Sequence, residues 1–211
     1  MVAEVGLIAE PHLQAYLRPT AVIDWQQPQV LAQARALAGG KPEEVARNCF
    51  EWVRDRVLHS RDHQRNPVTC SASEVIQHRT GYCYAKSHLL AALLRANHIP
   101  AGFCYQRLSI DDKGAPYSLH GFNAIWLRQW GWVRADARGN RVGIDARFDP
   151  PDESLAFAGT AKGECTFANV LAEPLPVVVE ALRLGGGWED LLKRLPDVKP
   201  ADYAGLGLKP Q

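Results

Sequence analysis

The stretch Gly81-Tyr82-Cys83-Tyr84-Ala85-Lys86-Ser87-His88-Leu89-Leu90-Ala91-Ala92-Leu93-Leu94-Arg95-Ala96-Asn97-His98-Ile99-Pro100 decides how the chain is read. A glycine turn precedes it and Pro100 ends it, so a helix is expected from near Cys83 to about Asn97. Ala85, Leu89, Ala92, Leu93 and Ala96 form one apolar stripe, widened by Leu90 and Leu94. That spacing puts Cys83 at a helix start. Free backbone N–H groups and the helix dipole there favour a thiolate over a thiol. The same N–H groups suit a developing oxyanion.

Elements on the N-terminal side read as helices. Pro28 opens one through Val30, Ala34, Leu37 and Ala38, stopped by Gly39-Gly40. Lys41-Pro42-Glu43-Glu44 opens a second, whose Val45, Ala46, Cys49, Phe50, Val53 and Val57 follow the 3.6 period. Residues 59–69 are polar and read as a loop with solvated His59 and His63. Gln64 and Asn66 in that loop are candidates for a second oxyanion donor. Ser71 and Glu74 form a capping-box pattern for a short helix ending near His78, followed by a turn at residues 79–82. The first 27 residues read as short strands or an irregular lead-in.

After Pro100 the pattern changes to strands. Gly102 to Ile110, Leu119 to Leu127, Trp132 to Ala137 and Val142 to Phe148 alternate as strands, with a turn at Asp111-Asp112-Lys113-Gly114. Residues 152–173 are weakly patterned. Leu175–Arg183 and Trp188–Leu195 read as helices, and the Pro- and Gly-rich tail from Pro196 is expected to fray. Helices first and antiparallel strands second give an α+β class. The organisation expected is one domain over residues 1–195, with its core at about 45–150, followed by a tail at 196–211.

His120 starts one predicted strand and Asp136 lies in the next. A thiol nucleophile needs an imidazole, and the imidazole needs an acceptor that fixes its tautomer. Side chains alternate along a strand, so the register decides whether His120 and Asp136 share a face. They do so if Asp136 lies opposite His120 or opposite Phe122. A two-residue turn at Trp130-Gly131 would pair Gln129 with Trp132 and put them on opposite faces. An odd-length or bulged connection around Arg128 to Gly131 is therefore predicted, with Gly131 at positive φ.

Gly81-Tyr82-Cys83, the helix ending in Asn97-His98-Ile99-Pro100-Ala101, His120 with Trp126, and Gly131-Trp132 with Asp136 together resemble the transglutaminase-like superfamily of cysteine enzymes. The segments Phe148-Asp149-Pro150-Pro151 and Gly163-Glu164 are similar to bacterial members. The resemblance implies a papain-like fold with N-terminal helices packed on an antiparallel sheet. It also implies a Cys83-His120-Asp136 triad working through a thioester. Many members have Asp-Pro-Thr at the acid, whereas Asp136 is followed by Ala137-Arg138-Gly139, so Asp145 stands as the alternative acid. Tyr82, Trp126 and Trp132 are the candidate substrate-binding aromatics.

The reaction expected is hydrolysis of an amide or peptide bond in a peptide, protein or small amide. Transfer to an amine, as in protein cross-linking, is the alternative, and a non-catalytic binding module is the reading from another class. No metal or organic cofactor is expected. The 211 residues carry 24 Lys and Arg against 23 Asp and Glu, a formal charge of +1, which does not point to nucleic acid. The five cysteines show no Cys-x-x-Cys pair, which argues against a zinc ribbon or disulfide framework and leaves most of them as buried thiols. Met1-Val2-Ala3-Glu4 lacks a basic leader and no run approaches the ~20 apolar residues of a membrane span, so a soluble cytoplasmic protein is expected.

Overall fold

The computed structural model describes residues 6–111 and 113–211, so the expectations placed on the first five residues and on Asp112 lie outside the described residues. In chain order the elements are β1 (Ile8–Ala9), a 3-10 turn at Leu13–Leu17, α1 (Pro28–Leu37), α2 (Pro42–Arg56), β2 (Leu58–His59), α3 (Ala72–His78), β3 (Thr80–Gly81) and α4 (Cys83–Ala96). There follow β4 (Ala101–Ser109), β5 (Tyr117–Leu127), β6 (Gly131–Ala135), β7 (Arg147–Asp149), β8 (Asp152–Ser154), β9 (Cys165–Thr166), β10 (Asn169–Val170), α5 (Pro176–Arg183) and α6 (Trp188–Leu192). The main sheet is antiparallel in the order β6-β5-β4-β9, and α4 packs on β4 and β5 with α1, α2 and α3 around it. This is the expected α+β arrangement. Among the described residues no helix is long and apolar enough to cross a membrane.

Local chemistry explains the helix boundaries. Pro28 and Pro42 occupy first-turn positions, where a missing N–H costs nothing. Ser71 Oγ accepts from Glu74 N while Glu74 Oε2 accepts from Ser71 N, which is the predicted capping box closing α3. Arg79 then takes a left-handed conformation at the end of α3.

Every residue of α4 except Ala96 is buried, more than its apolar stripe implied. Leu89, Leu90, Leu93 and Leu94 lose all solvent contact, each stabilising the fold by about 2 kcal/mol. The polar residues are buried because backbone carbonyls receive them. Lys86 Nζ donates to the carbonyls of Arg54 and Val57, pinning the end of α2. Burial holds Lys86 well below the usual lysine value, down to about 7. His88 Nδ1 meets the Cys70 carbonyl at 2.7 Å. Arg95 donates to the carbonyls of Arg18, Ala101 and Ala172 at 2.6–3.1 Å. Cys49, Cys70 and Cys104 are the buried thiols expected, and burial raises each of them.

Three expectations are corrected. Residues 79–82 are not a bare turn, because β3 pairs in parallel with β2, matching His59 with Gly81. Residues 142–146 do not form a strand. Asn140 folds this segment into a loop by donating to Asp145 Oδ1 and the Ala146 carbonyl and accepting from Ala146 N. Val142 is left 96% exposed there, and only β7 pairs, with β8 outside the main sheet. The tail is held rather than frayed. Leu119 N donates to the Pro196 carbonyl, Asp197 pairs with Arg107 through two bonds, and Val198 and Leu208 are buried. Gln211 N donates to the Thr166 carbonyl, covering the edge strand β9.

Arg95→Met is expected to lower unfolding stability by at least about 2 kcal/mol, because it takes the donor from the buried carbonyls of Ala101 and Ala172 at once. Chemical denaturation with a single probe of the folded state measures this.

Candidate functional site

The strand register meets the condition set by the sequence. Leu127 pairs with Gly131 and Asn123 with Ala135, leaving the three-residue connection Arg128-Gln129-Trp130. Trp130 N donates to the Leu127 carbonyl, and Gly131 takes φ +75°. Continuing that register puts Asp136, one residue beyond β6, opposite Phe122, so it shares a face with His120. His120 Nε2 and Asp136 Oδ2 lie 2.7 Å apart. Asp145, the alternative acid, is exposed and paired with Arg147, away from His120.

Asp136 is fully buried, and a carboxylate there requires donors. It has three: His120, Arg138 N at 3.1 Å on Oδ1 and Ala156 N at 3.1 Å on Oδ2. Burial alone would raise its pKa. The His120 charge and these donors outweigh burial and keep the carboxyl below its ordinary value. The His120 ring is held by Phe122, stacked at 5.9 Å, and by the edge of Phe157 at 5.0 Å.

Cys83 begins α4, and it shares the wall of one cavity with His120 and His59. Burial by itself would push the thiol up. The His120 charge, with a smaller contribution from His59, outweighs burial and holds the thiol well below its usual value. His120 is shifted the other way. Burial disfavours its cation, but Asp136 and the Cys83 sulfur raise it above the ordinary imidazole value. Both shifts favour the thiolate–imidazolium form of the pair over the neutral one. Close approach of α4 to β5 depends on Gly121, where an added Cβ would sit 3.0 Å from the Tyr84 ring.

A cavity of about 450 Å³ opens on the sulfur, with His59, Tyr82, Cys83, His120, Arg138 and Phe157 in its wall. Tyr82 is part of this wall, its hydroxyl donating to the Trp188 carbonyl at 2.6 Å. Trp126 and Trp132, the other two substrate-binding candidates, are not in the wall. They face each other across the β5–β6 pair at 5.7 Å, and Trp132 packs on Tyr16. The aromatic side chains beside His120 are Phe122 and Phe157 instead.

The proposed second oxyanion donors are also displaced. Gln64 and Asn66 are exposed, and Asn66 Oδ1 accepts from Trp188 N. His59, read as solvated, is 6% exposed and belongs to the site, whereas His63 is exposed. The pairing of His59 with Gly81, two residues before Cys83, brings it in. A two-residue parallel bridge has no periodicity to signal it. Phe157 was missed for a similar reason, sitting in a segment without pattern.

Asp136→Asn is expected to leave the fold intact and to reduce any Cys83-dependent acyl turnover by about 10²–10⁴-fold, since an amide at that position no longer stabilises the imidazolium. Gly121→Val is expected to push α4 off β5 and to slow alkylation of Cys83 by at least about tenfold through loss of the imidazole contact. Rate measurements with mass-spectrometric assignment to Cys83 test both.

Among curated proteins none matches this chain. Several solved structures are similar to it, among them the following two. A candidate cysteine protease from Cytophaga hutchinsonii is 20% identical, with a TM-score of 0.48, covering 61% of this chain and 43% of that one. The periplasmic domain of TgpA from Pseudomonas aeruginosa is 20% identical, with a TM-score of 0.46, covering 59% of this chain and 48% of that one. The chain thus matches less than half the length of each. The model of the transglutaminase-like superfamily matches residues 31–137, about half of the 211 residues, and spans Cys83, His120 and Asp136. The α+β, papain-like arrangement fits that match, and the chain belongs to the transglutaminase-like superfamily.

Proposed function

We propose that this protein is a cysteine hydrolase that cleaves an amide or peptide bond through a thioester on Cys83. Family membership supports a cysteine-dependent enzyme as the general class. The observation that carries the finer reading is His120, bound to Asp136 at 2.7 Å and sharing the wall of an open cavity with a helix-start sulfur.

In this reading the Cys83 thiolate attacks the substrate carbonyl carbon and a C–S bond forms. The carbonyl electrons move to oxygen, which the N–H groups at the start of α4 receive. The tetrahedral intermediate collapses, the C–N bond breaks, and His120 gives its proton to the leaving amine. Water then attacks the thioester while His120 takes a proton from it. The C–S bond breaks with its electron pair returning to sulfur, and the acid departs. Asp136 keeps the imidazole oriented throughout and stabilises its charged form. Water as the acceptor needs no second binding site, which favours hydrolysis over amine transfer. Peptides, proteins and small amides are the substrate classes proposed.

With p-nitrophenyl acetate, a burst of p-nitrophenol equal to the enzyme concentration is expected, and Cys83→Ser should abolish it. Full turnover by that variant contradicts the reading. Added methylamine should leave the product as acetate; N-methylacetamide as the main product would move the assignment to amine transfer. The pH profile of kcat/KM should have its acid limb well below the ordinary thiol value of about 8.5 and its alkaline limb above the ordinary imidazole value of about 6.5. The thiol must be deprotonated and the imidazole protonated together, so the shifts widen the active window on both sides.

A further inference from the structure

We propose that His59 is a second catalytic imidazole, partnering the Cys83 sulfur from β2 while His120 partners it from the main sheet. This rests on the reading of Cys83 as the nucleophile. His59 is 6% exposed and shares the cavity wall with Cys83 and His120. The β2–β3 pairing fixes its backbone against Gly81, and its ring meets Tyr82 edge-on at 5.5 Å.

Each imidazole has its own carboxylate. Asp62 Oδ1 stands 3.5 Å from His59 Nδ1, and Arg138 grips that carboxylate through two bonds of 2.6 and 3.0 Å. The backbone N–H of the same Arg138 donates to Asp136. One residue therefore ties together the supports of both rings. The two supports differ in strength. At 2.7 Å His120 is firmly bonded to Asp136, whereas 3.5 Å is too long for a firm bond, and His59 Nδ1 is buried without a hydrogen-bond partner. The firmly oriented ring suits proton transfer. The loosely tethered one suits an electrostatic role, holding negative charge on sulfur before attack and again as sulfur leaves the thioester.

Besides His59, the charged and titratable groups around the sulfur and its cavity are His120, Tyr82, Tyr84, Tyr105, Arg61, Arg138, Arg141 and Glu164, with Asp136 behind His120 and Asp62 behind His59. A variant that removes only His59 leaves all of these in place.

The test follows alkylation of Cys83 by iodoacetamide across pH, read on the Cys83 peptide by mass spectrometry. His59→Phe keeps the ring packing on Tyr82 and removes both nitrogens. Its alkylation midpoint is expected to rise by about one pH unit, with the high-pH plateau rate unchanged. His59→Gln and Asp62→Asn should shift it in the same direction by less, and they carry the test if the phenylalanine variant does not fold. A midpoint equal to wild type in these variants, or a lowered plateau with no shift, overturns the proposal and leaves the triad reading standing. A wild-type midpoint at the ordinary thiol value overturns the proposal and the triad reading together.

Discussion

Cys83 can be held as an anion because the helix it begins is locked inside the protein. A thiolate at a mobile helix end would be hydrated and its imidazole contact would come and go. Here α4 is buried from Cys83 to Arg95, and three of its polar side chains fasten it to the surrounding chain. Lys86 holds the end of α2, His88 the approach to α3, and Arg95 both the N-terminal segment and β4. Those bonds satisfy carbonyls that would otherwise be buried without partners. They also keep the first turn of α4 in a single position against β5.

The sheet contributes the complementary half. His120 and Asp136 come from neighbouring chain segments whose relative offset is decided by a three-residue connection and a glycine at positive φ. A one-residue slip would turn Asp136 away from the imidazole. Once the carboxylate is buried it recruits two backbone N–H groups from different segments, at Arg138 and Ala156. The acid thereby organises the loop that carries Phe157 onto the His120 ring. Site and scaffold stabilise one another here, since the charge that raises the imidazole pKa also fixes the wall around it.

Charge within the site is arranged in alternation. Cys83, His59 and His120 share one cavity wall, each imidazole faces a carboxylate, and Arg138 binds Asp62 through its guanidinium and Asp136 through its backbone N–H. Burying one such charge alone would cost several kcal/mol, whereas an alternating set lets each member offset its neighbours. This accounts for so many ionisable groups around a cavity of about 450 Å³.

Local signals in the sequence determined the helix-forming segments, their caps and the strands β4 to β6, because proline positions, capping residues and apolar periodicity act over a few residues. The candidate triad was legible for the same reason: a cysteine at a helix start is a local feature, and the parity of the β5–β6 connection converts a loop length into a facing pair. Tertiary structure alone decided what depends on contacts between distant segments. His59 looked solvated in a polar loop until its pairing with Gly81 drew it into the cavity. Trp126 and Trp132 looked like site aromatics, but they face each other across β5 and β6, and Trp132 packs on Tyr16. The strand read at residues 142–148 gave way to a loop as far as residue 146 because Asn140 offered the backbone a competing set of hydrogen bonds. The tail was read as loose from its composition and is held because Asp197 finds Arg107 across the fold. None of these pairings leaves a period or a cap in the chain, so only the assembled molecule could decide them.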